Sequence, residues 1–267
     1  MEYEFLRVAK ANRVAMCRIY NPPLNMLNSK MMTELSSFIE EAEKDNDVRV
    51  VVFTGGVPNI FITHYDVSEL VALSGAIPEP PPEMPRAADM PHYQLHLRMR
   101  NTPKPIIAAI NGACQGGGCE FTLACDIRIM AKGDFGIGLP EVGVGILPGG
   151  SGTQLMTRLL GPGKALEMML FGKVIDAEEA ERIGLVHKAV PAIELLPTTL
   201  TLAYRLAAGA PIAQGLIKRC VYQGGPLPLE EGLQVEMEAF AETLRTEDAR
   251  EAMKAYLNWQ LYEFKGR

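Results

Sequence analysis

A chain of 267 residues, 48% of them hydrophobic, is long enough to bury one large core and shows none of the composition of a disordered protein. The net charge of −6 and the lack of a dense basic run argue against nucleic acid or an anionic membrane surface as partner. No apolar run reaches membrane-spanning length, the start "MEYEFLRVAK" lacks a signal-peptide layout, and Cys17, Cys114, Cys119, Cys125 and Cys220 form no CxxC pair, so the expectation is a cytoplasmic protein with reduced, buried thiols.

Along the chain, "YEFLRVAKANRVAMCRIY" alternates like a strand and breaks at Ala11-Asn12, which predicts a hairpin. Asn28 reads as an N-cap, and Met31, Leu35, Phe38, Ile39 and Ala42 follow at helical spacing, predicting an amphipathic helix to about residue 45. "VRVVVFTGG" is a short continuous apolar strand ending in glycines, and a helix is expected from near Val67. "SGAIPEPPPEMPRAADMP" holds six of the nineteen prolines and reads as an inserted irregular loop rather than a domain linker, either a surface excursion or a mobile flap over a site. "PIIAAING" and "CDIRIMAKG" repeat the strand-then-glycine pattern. Strands alternating with helices predict α/β architecture with right-handed crossovers. Beyond about residue 160 the pattern is helical, ending in an apolar stripe of Leu233, Met237, Phe240 and Leu244 that suits core or subunit contact.

The chemistry-bearing candidates lie in two glycine-rich stretches. "PIIAAINGACQGGGCE" reads as a buried strand, a glycine tract and a helix from about Gly118, with Glu120 in the first turn. The first amides of a helix lack internal partners and suit a negative oxygen, permanent or transient. "GLPEVGVGILPGGSGTQ" carries Glu141 in a second such loop; it lacks the Gly-Lys-Ser/Thr ending of a phosphate-binding loop, and Ser151 reads as the start of a helix. Two carboxylates on loops leaving neighbouring αβ units can face one cavity, hold a water and divide acid and base roles. His92 and His96 are spaced four apart, but no Glu follows His92, so they read as surface or partly buried histidines rather than metal ligands.

With these residues in view, the chain resembles the crotonase superfamily of enoyl-CoA hydratases and isomerases. The resemblance rests on "NPPLNMLNSKMM", "VVVFTGGVPNIFITHYDVSEL", "KPIIAAINGACQGGGCEFTLACDIRI", "GLPEVGVGILPGGSGTQLMTRLLG" and "GKVIDAEEAERIGLVHKAV", and covers nearly the whole chain. It implies a crotonase-like α/β spiral core over residues 1–195 and a helical C-terminal region over 196–267 that joins subunits into trimers or hexamers and completes the coenzyme A site. It implies an oxyanion hole made by the backbone N–H groups of Gly117 and Tyr65, which would polarise the thioester carbonyl of an acyl-CoA; one such donor is typically worth ~3 kcal/mol of transition-state stabilisation. Glu120 and Glu141 match the family's two hydratase glutamates, which favours 2-enoyl-CoA hydration without metal or redox cofactor, coenzyme A entering as part of the substrate. The alternatives are double-bond isomerisation, hydrolysis of a C–C bond or thioester, and a silent acyl-CoA-binding protein. Coenzyme A is expected to be held mainly by backbone near Leu24 and Asn25 and around residues 61–65, with substrate contacts also at Ile62, His64, Asp66 and Gly116, and phosphate contacts at Lys265 and Arg267. The chain departs from the family in three places. His64 and Tyr65 replace smaller residues, "DFGIGLPE" is a longer approach that would displace Glu141, and the proline-rich insertion borders the acyl pocket.

Overall fold

The computed structural model describes residues 3–79, 83 and 85–267, so Pro80, Pro81, Pro82 and Met84 of the proline-rich insertion lie outside the described residues. The chain opens with the expected hairpin, β1 (Leu6–Ala11) and β2 (Val14–Ile19). It turns through Asn12 and Arg13, both at positive φ. Asn28 caps α1 (Ser29–Lys44) by accepting the Met31 N–H at 2.8 Å, and the five residues of the apolar stripe are all buried. Then come β3 (Val50–Gly55), β4 (Ile60–Ile62), α2 (Val67–Ala76), α3 (Pro91–Asn101) and β5 (Ile106–Ile110). They are followed by β6 (Ala113–Gln115), α4 (Gly117–Ala124), β7 (Ile127–Lys132) and β8 (Ile137–Gly138). Helix α5 (Gly152–Leu170), which leaves helical geometry at Gly161, leads into β9 (Val174–Ile175), α6 (Ala177–Arg182) and β10 (Lys188–Pro191). Helices α7 (Leu195–Ala207), α8 (Pro211–Arg219), α9 (Leu229–Leu244) and α10 (Glu247–Leu257) close the chain.

The strands form two sheets. The larger runs β1-β2-β3-β5-β7-β10, parallel except for the β1–β2 hairpin; the smaller runs β4-β6-β8-β9, with β9 antiparallel. Buried parallel strands need apolar residues on both faces. In β3, Val51 and Phe53 join the main core with α1, α3 and α4, while Val50 and Val52 face a second cluster closed by Leu195, Ala203 and Ala207 of α7. The two-residue and three-residue strands of the small sheet are too short for a period-two pattern, and sequence analysis does not find them. It also misses α3, whose buried side chains are Leu95, His96 and Met99, a stripe diluted by a histidine.

The 195/196 boundary falls at the first turn of α7, which packs on the large sheet. Exposed apolar residues occur on both sides of that boundary: Val71, Leu147, Phe171 and Ile193 before it, and beyond it Leu233, Met237, Phe240 and Leu244 of α9, followed by Tyr256, Leu257, Trp259 and Leu261. Among the described residues no helix is long and apolar enough to cross a membrane, and all five cysteines are free, four of them buried.

Candidate active site

The site is built where the small sheet meets α4. All eight residues of α4 are buried, so packing rather than helix propensity holds it. Phe121 stands edge-on to Phe53 with ring centroids 5.0 Å apart, which fixes the rotation of the helix. At its C-terminal end the buried Arg128 guanidinium donates to the carbonyls of Cys125 (2.8 Å), Thr122 (3.3 Å) and Leu185 (2.8 Å), a cation at the negative end of a helix.

The glycine tract is required by close approach at both of its ends. Gly116 has φ 50 and ψ −126, a conformation open mainly to glycine, and a Cβ there would sit 3.3 Å from Glu141 Oε1. A Cβ on Gly118 would meet the Ile62 carbonyl oxygen at 2.2 Å. Between them, a Cβ built on Gly117 would lie 3.2 Å from the Tyr65 backbone nitrogen, so these two amides are neighbours. The segment carrying Tyr65 is pinned from both sides: Leu27 N–H donates to His64 O (2.9 Å), Asp66 N–H to Leu27 O (2.8 Å) and Gln115 N–H to Thr63 O (3.1 Å). Among the described residues no acceptor takes the Tyr65 N–H, and the Gly117 N–H, first in its helix, has no intrahelical partner.

Glu120 is 5% exposed, and its Oε1 accepts two backbone N–H groups, from Gly150 (2.7 Å) and Gly152 (2.8 Å). Burial, together with the nearby Glu141 charge, pushes its carboxyl up to about 7 against the opposing pull of the two amides. Glu141 opens a 3-10 turn, Glu141–Val144, after β8. It is half-buried, its Oε2 has no hydrogen-bond partner, and burial raises its pKa. The longer "DFGIGLPE" approach therefore does not carry Glu141 away: its carboxylate lies against Gly116 and acts on Glu120.

The other expected residues fall into place as follows. Tyr65 directs its ring away from the amide cleft toward the start of α1, where its hydroxyl bonds Glu69 of α2 and lies 2.9 Å from Ser29 Oγ. His64 turns its Nδ1 to the Tyr65 carbonyl at 2.7 Å. Asp66 caps α2 by accepting the Ser68 N–H at 2.9 Å, which occupies its side chain structurally. Ile62 is fully buried, and its carbonyl oxygen and Cβ both press against Gly118 of α4. The Asn25 side chain is also fully buried, spent on Asn21 N, Ile19 O and Phe61 O, and the Leu24 carbonyl accepts from Thr63 Oγ1 at 2.6 Å. Lys265 and Arg267 pair with Glu247 of their own chain. Among the described residues no cluster of His, Cys, Asp or Glu is arranged to hold a metal ion.

One histidine that bears on the site lies deeper than the sequence suggests. His96, expected at the surface or only partly buried, is 5% exposed, and its Nδ1 lies 2.8 Å from the Ser151 hydroxyl. Burial lowers its pKa to about 4, so the ring is neutral. Ser151 does start a helix, but at φ 87 and without a capping bond, and it sits between the two amides that hold Glu120.

The frame of small sheet and helix thus sets the amides of Gly117 and Tyr65 beside two neighbouring carboxylates, the buried Glu120 and the half-buried Glu141. The enoyl-CoA hydratase/isomerase family matches residues 9–267, and the chain belongs to that family, within the crotonase superfamily. It is 37% identical to the short-chain-enoyl-CoA hydratase of Clostridium acetobutylicum, with 100% of each chain covered, and 33% identical to the crotonyl-CoA hydratase of Syntrophomonas wolfei, covering 96% of each. The crystal structure of an enoyl-CoA hydratase from Bacillus anthracis superimposes with a TM-score of 0.88 at 32% identity, covering 99% of this chain and 100% of that one.

Proposed function

We propose that this protein hydrates 2-enoyl-CoA thioesters, adding water across the C2=C3 bond. The observation that carries this reading is the facing pair Glu120 and Glu141 beside the amides of Gly117 and Tyr65. The thioester carbonyl accepts from the two amides, which stabilise the enolate as charge moves onto oxygen. Glu120, whose two amide bonds favour the ionised form, takes the proton from water as it attacks C3. Glu141, whose Oε2 has no hydrogen-bond donor and whose pKa burial raises, delivers a proton to C2. The chemistry is acid–base addition and calls on no metal or redox group.

The names of the two relatives support a short acyl chain, so crotonyl-CoA is the probe of choice. The exposed apolar stripe of α9 and the apolar residues that follow it support assembly through the C-terminal region as a trimer or a pair of trimers. In such an assembly Lys265 would reach a coenzyme A phosphate only by leaving Glu247. Loss of the conjugated enoyl-thioester absorbance on adding enzyme to crotonyl-CoA tests the reading; binding of crotonyl-CoA without any loss would overturn it.

A further inference from the structure

We propose that Tyr93 and His96 of α3 are positioning residues for Glu120, clamping the Gly149–Gly152 turn so that its two amides converge on one carboxylate oxygen. This rests on Glu120 being the base of the proposed reaction. The turn is an unusual object. Gly150 and Gly152 both point their N–H groups at Glu120 Oε1, at 2.7 and 2.8 Å, and convergence of alternate amides on one atom needs the intervening residue out of its ordinary backbone range. That residue is Ser151, at φ 87 and ψ 0, in the left-handed region that favours glycine. The glycines on either side admit no side chain: a Cβ on Gly150 would lie 2.3 Å from Glu120 Oε2, and one on Gly152 2.8 Å from Oε1.

Ser151 is therefore the one residue of the anion-holding turn with a side chain, and that side chain does nothing for its own helix. It reaches instead to His96 Nδ1, 2.8 Å away. His96 has little room to swing aside, because it is 5% exposed and packs on the ring of Phe121, the residue after Glu120, with centroids 6.4 Å apart. One helical turn earlier, Tyr93 donates its hydroxyl to the Gly149 carbonyl at 2.8 Å. Two side chains of α3, spaced three apart on one face, thus hold the turn at two of its corners, Gly149 and Ser151. Serine in place of glycine at residue 151 would cost the turn its conformation without such a hold, and the hold is what the hydroxyl provides.

The test is a cycle of variants assayed with crotonyl-CoA. His96→Ala should lower kcat by about 10- to 100-fold, because a small misplacement of a catalytic group is that costly, with KM changed by less than about threefold. Loosening the two amides removes support for the ionised carboxylate, so the acidic limb of kcat/KM should move to higher pH. In a Ser151→Gly background, where the turn adopts positive φ unaided, the same His96→Ala change should cost less than about threefold. Ser151→Ala, which deletes the hydroxyl while keeping a Cβ, should resemble His96→Ala and keeps the test intact if His96→Ala does not fold. Tyr93→Phe should give a smaller loss of the same kind. Unchanged kcat and pH limb in both His96→Ala and Ser151→Ala would overturn the clamp, as would an undiminished His96→Ala loss in the Ser151→Gly background. Glu120→Gln run alongside separates the two levels: if it retains turnover, the role of Glu120 is wrong, whereas its loss beside active clamp variants refutes only the clamp.

Discussion

Replacing Glu120 by Gln should stabilise the protein while abolishing turnover, and the stabilisation should depend on pH. Gln preserves shape, and its carbonyl oxygen can accept the same two amides from Gly150 and Gly152. What it removes is a buried charge. The carboxyl ionises near 4.5 when unfolded and at about 7 when folded. Below 4.5 both states hold the proton and the variants should be equally stable. Between 4.5 and 7 the unfolded chain loses its proton first, so the wild type loses stability as pH rises through that window and the variant does not. The difference of about 2.5 pH units corresponds to a plateau of about 3 kcal/mol in favour of Glu120→Gln above pH 7. Urea unfolding at pH 5 and pH 8, at one fixed protein concentration, reads it directly. Turnover should fall by about 10²- to 10⁴-fold in the same variant. A stability difference that is the same at both pH values would refute the burial of an ionising carboxylate at residue 120.

Gly150→Ala drives a methyl to 2.3 Å from the same carboxylate, so kcat should fall at least as far as when a catalytic group is misplaced, about 10²-fold, with the fold retained by circular dichroism. Tyr65→Phe removes the hydroxyl that ties Glu69 to Ser29 but leaves the backbone amide; it should cost about 1 kcal/mol in thermal or urea unfolding while kcat stays within about threefold. Lys218→Met strands Asp126, whose Oδ2 lies 2.7 Å from the Lys218 ammonium in a largely buried pair, and should destabilise by about 3–5 kcal/mol. Phe240→Glu places a charge in the exposed stripe of α9 and should shift the protein to a smaller species in sedimentation or size-exclusion runs.

What could be read from the sequence tracks the length of each signal. The hairpin, α1 with its Asn28 cap, and β3 carry patterns of five or more residues and a recognisable start or stop, and each lies where the pattern predicts. The strands β4, β6, β8 and β9 carry two or three residues each, and their existence depends on pairing with one another, which no local pattern records. The same distinction runs through the site. Glu120, Glu141 and the glycine tract stand out because glycines beside an acid are costly, and the structure brings them together. Leu24 and Asn25 are expected to meet coenzyme A through their backbone, and the buried Asn25 side chain shapes that backbone by bonding Asn21 N, Ile19 O and Phe61 O, while the Asp66 carboxylate caps α2, which only the folded geometry reveals. The Tyr65 ring finds its place against Ser29 and Glu69, 36 and 4 residues away in the chain. His96 was misread because its partner Ser151 lies 55 residues on, and a histidine with a distant partner looks from the sequence like any other.

The central claim is that water adds to C3 while C2 gains a proton and the thioester survives. The most direct measurement is the mass spectrum of the product formed from crotonyl-CoA in water enriched in oxygen-18. Hydration by the Glu120–Glu141 pair predicts an intact 3-hydroxyacyl-CoA carrying one heavy oxygen on C3, formed at least about 10²-fold more slowly by Glu120→Gln and Glu141→Gln. Free coenzyme A with the label in a released acid, or an unlabelled acyl-CoA isomer, would contradict it.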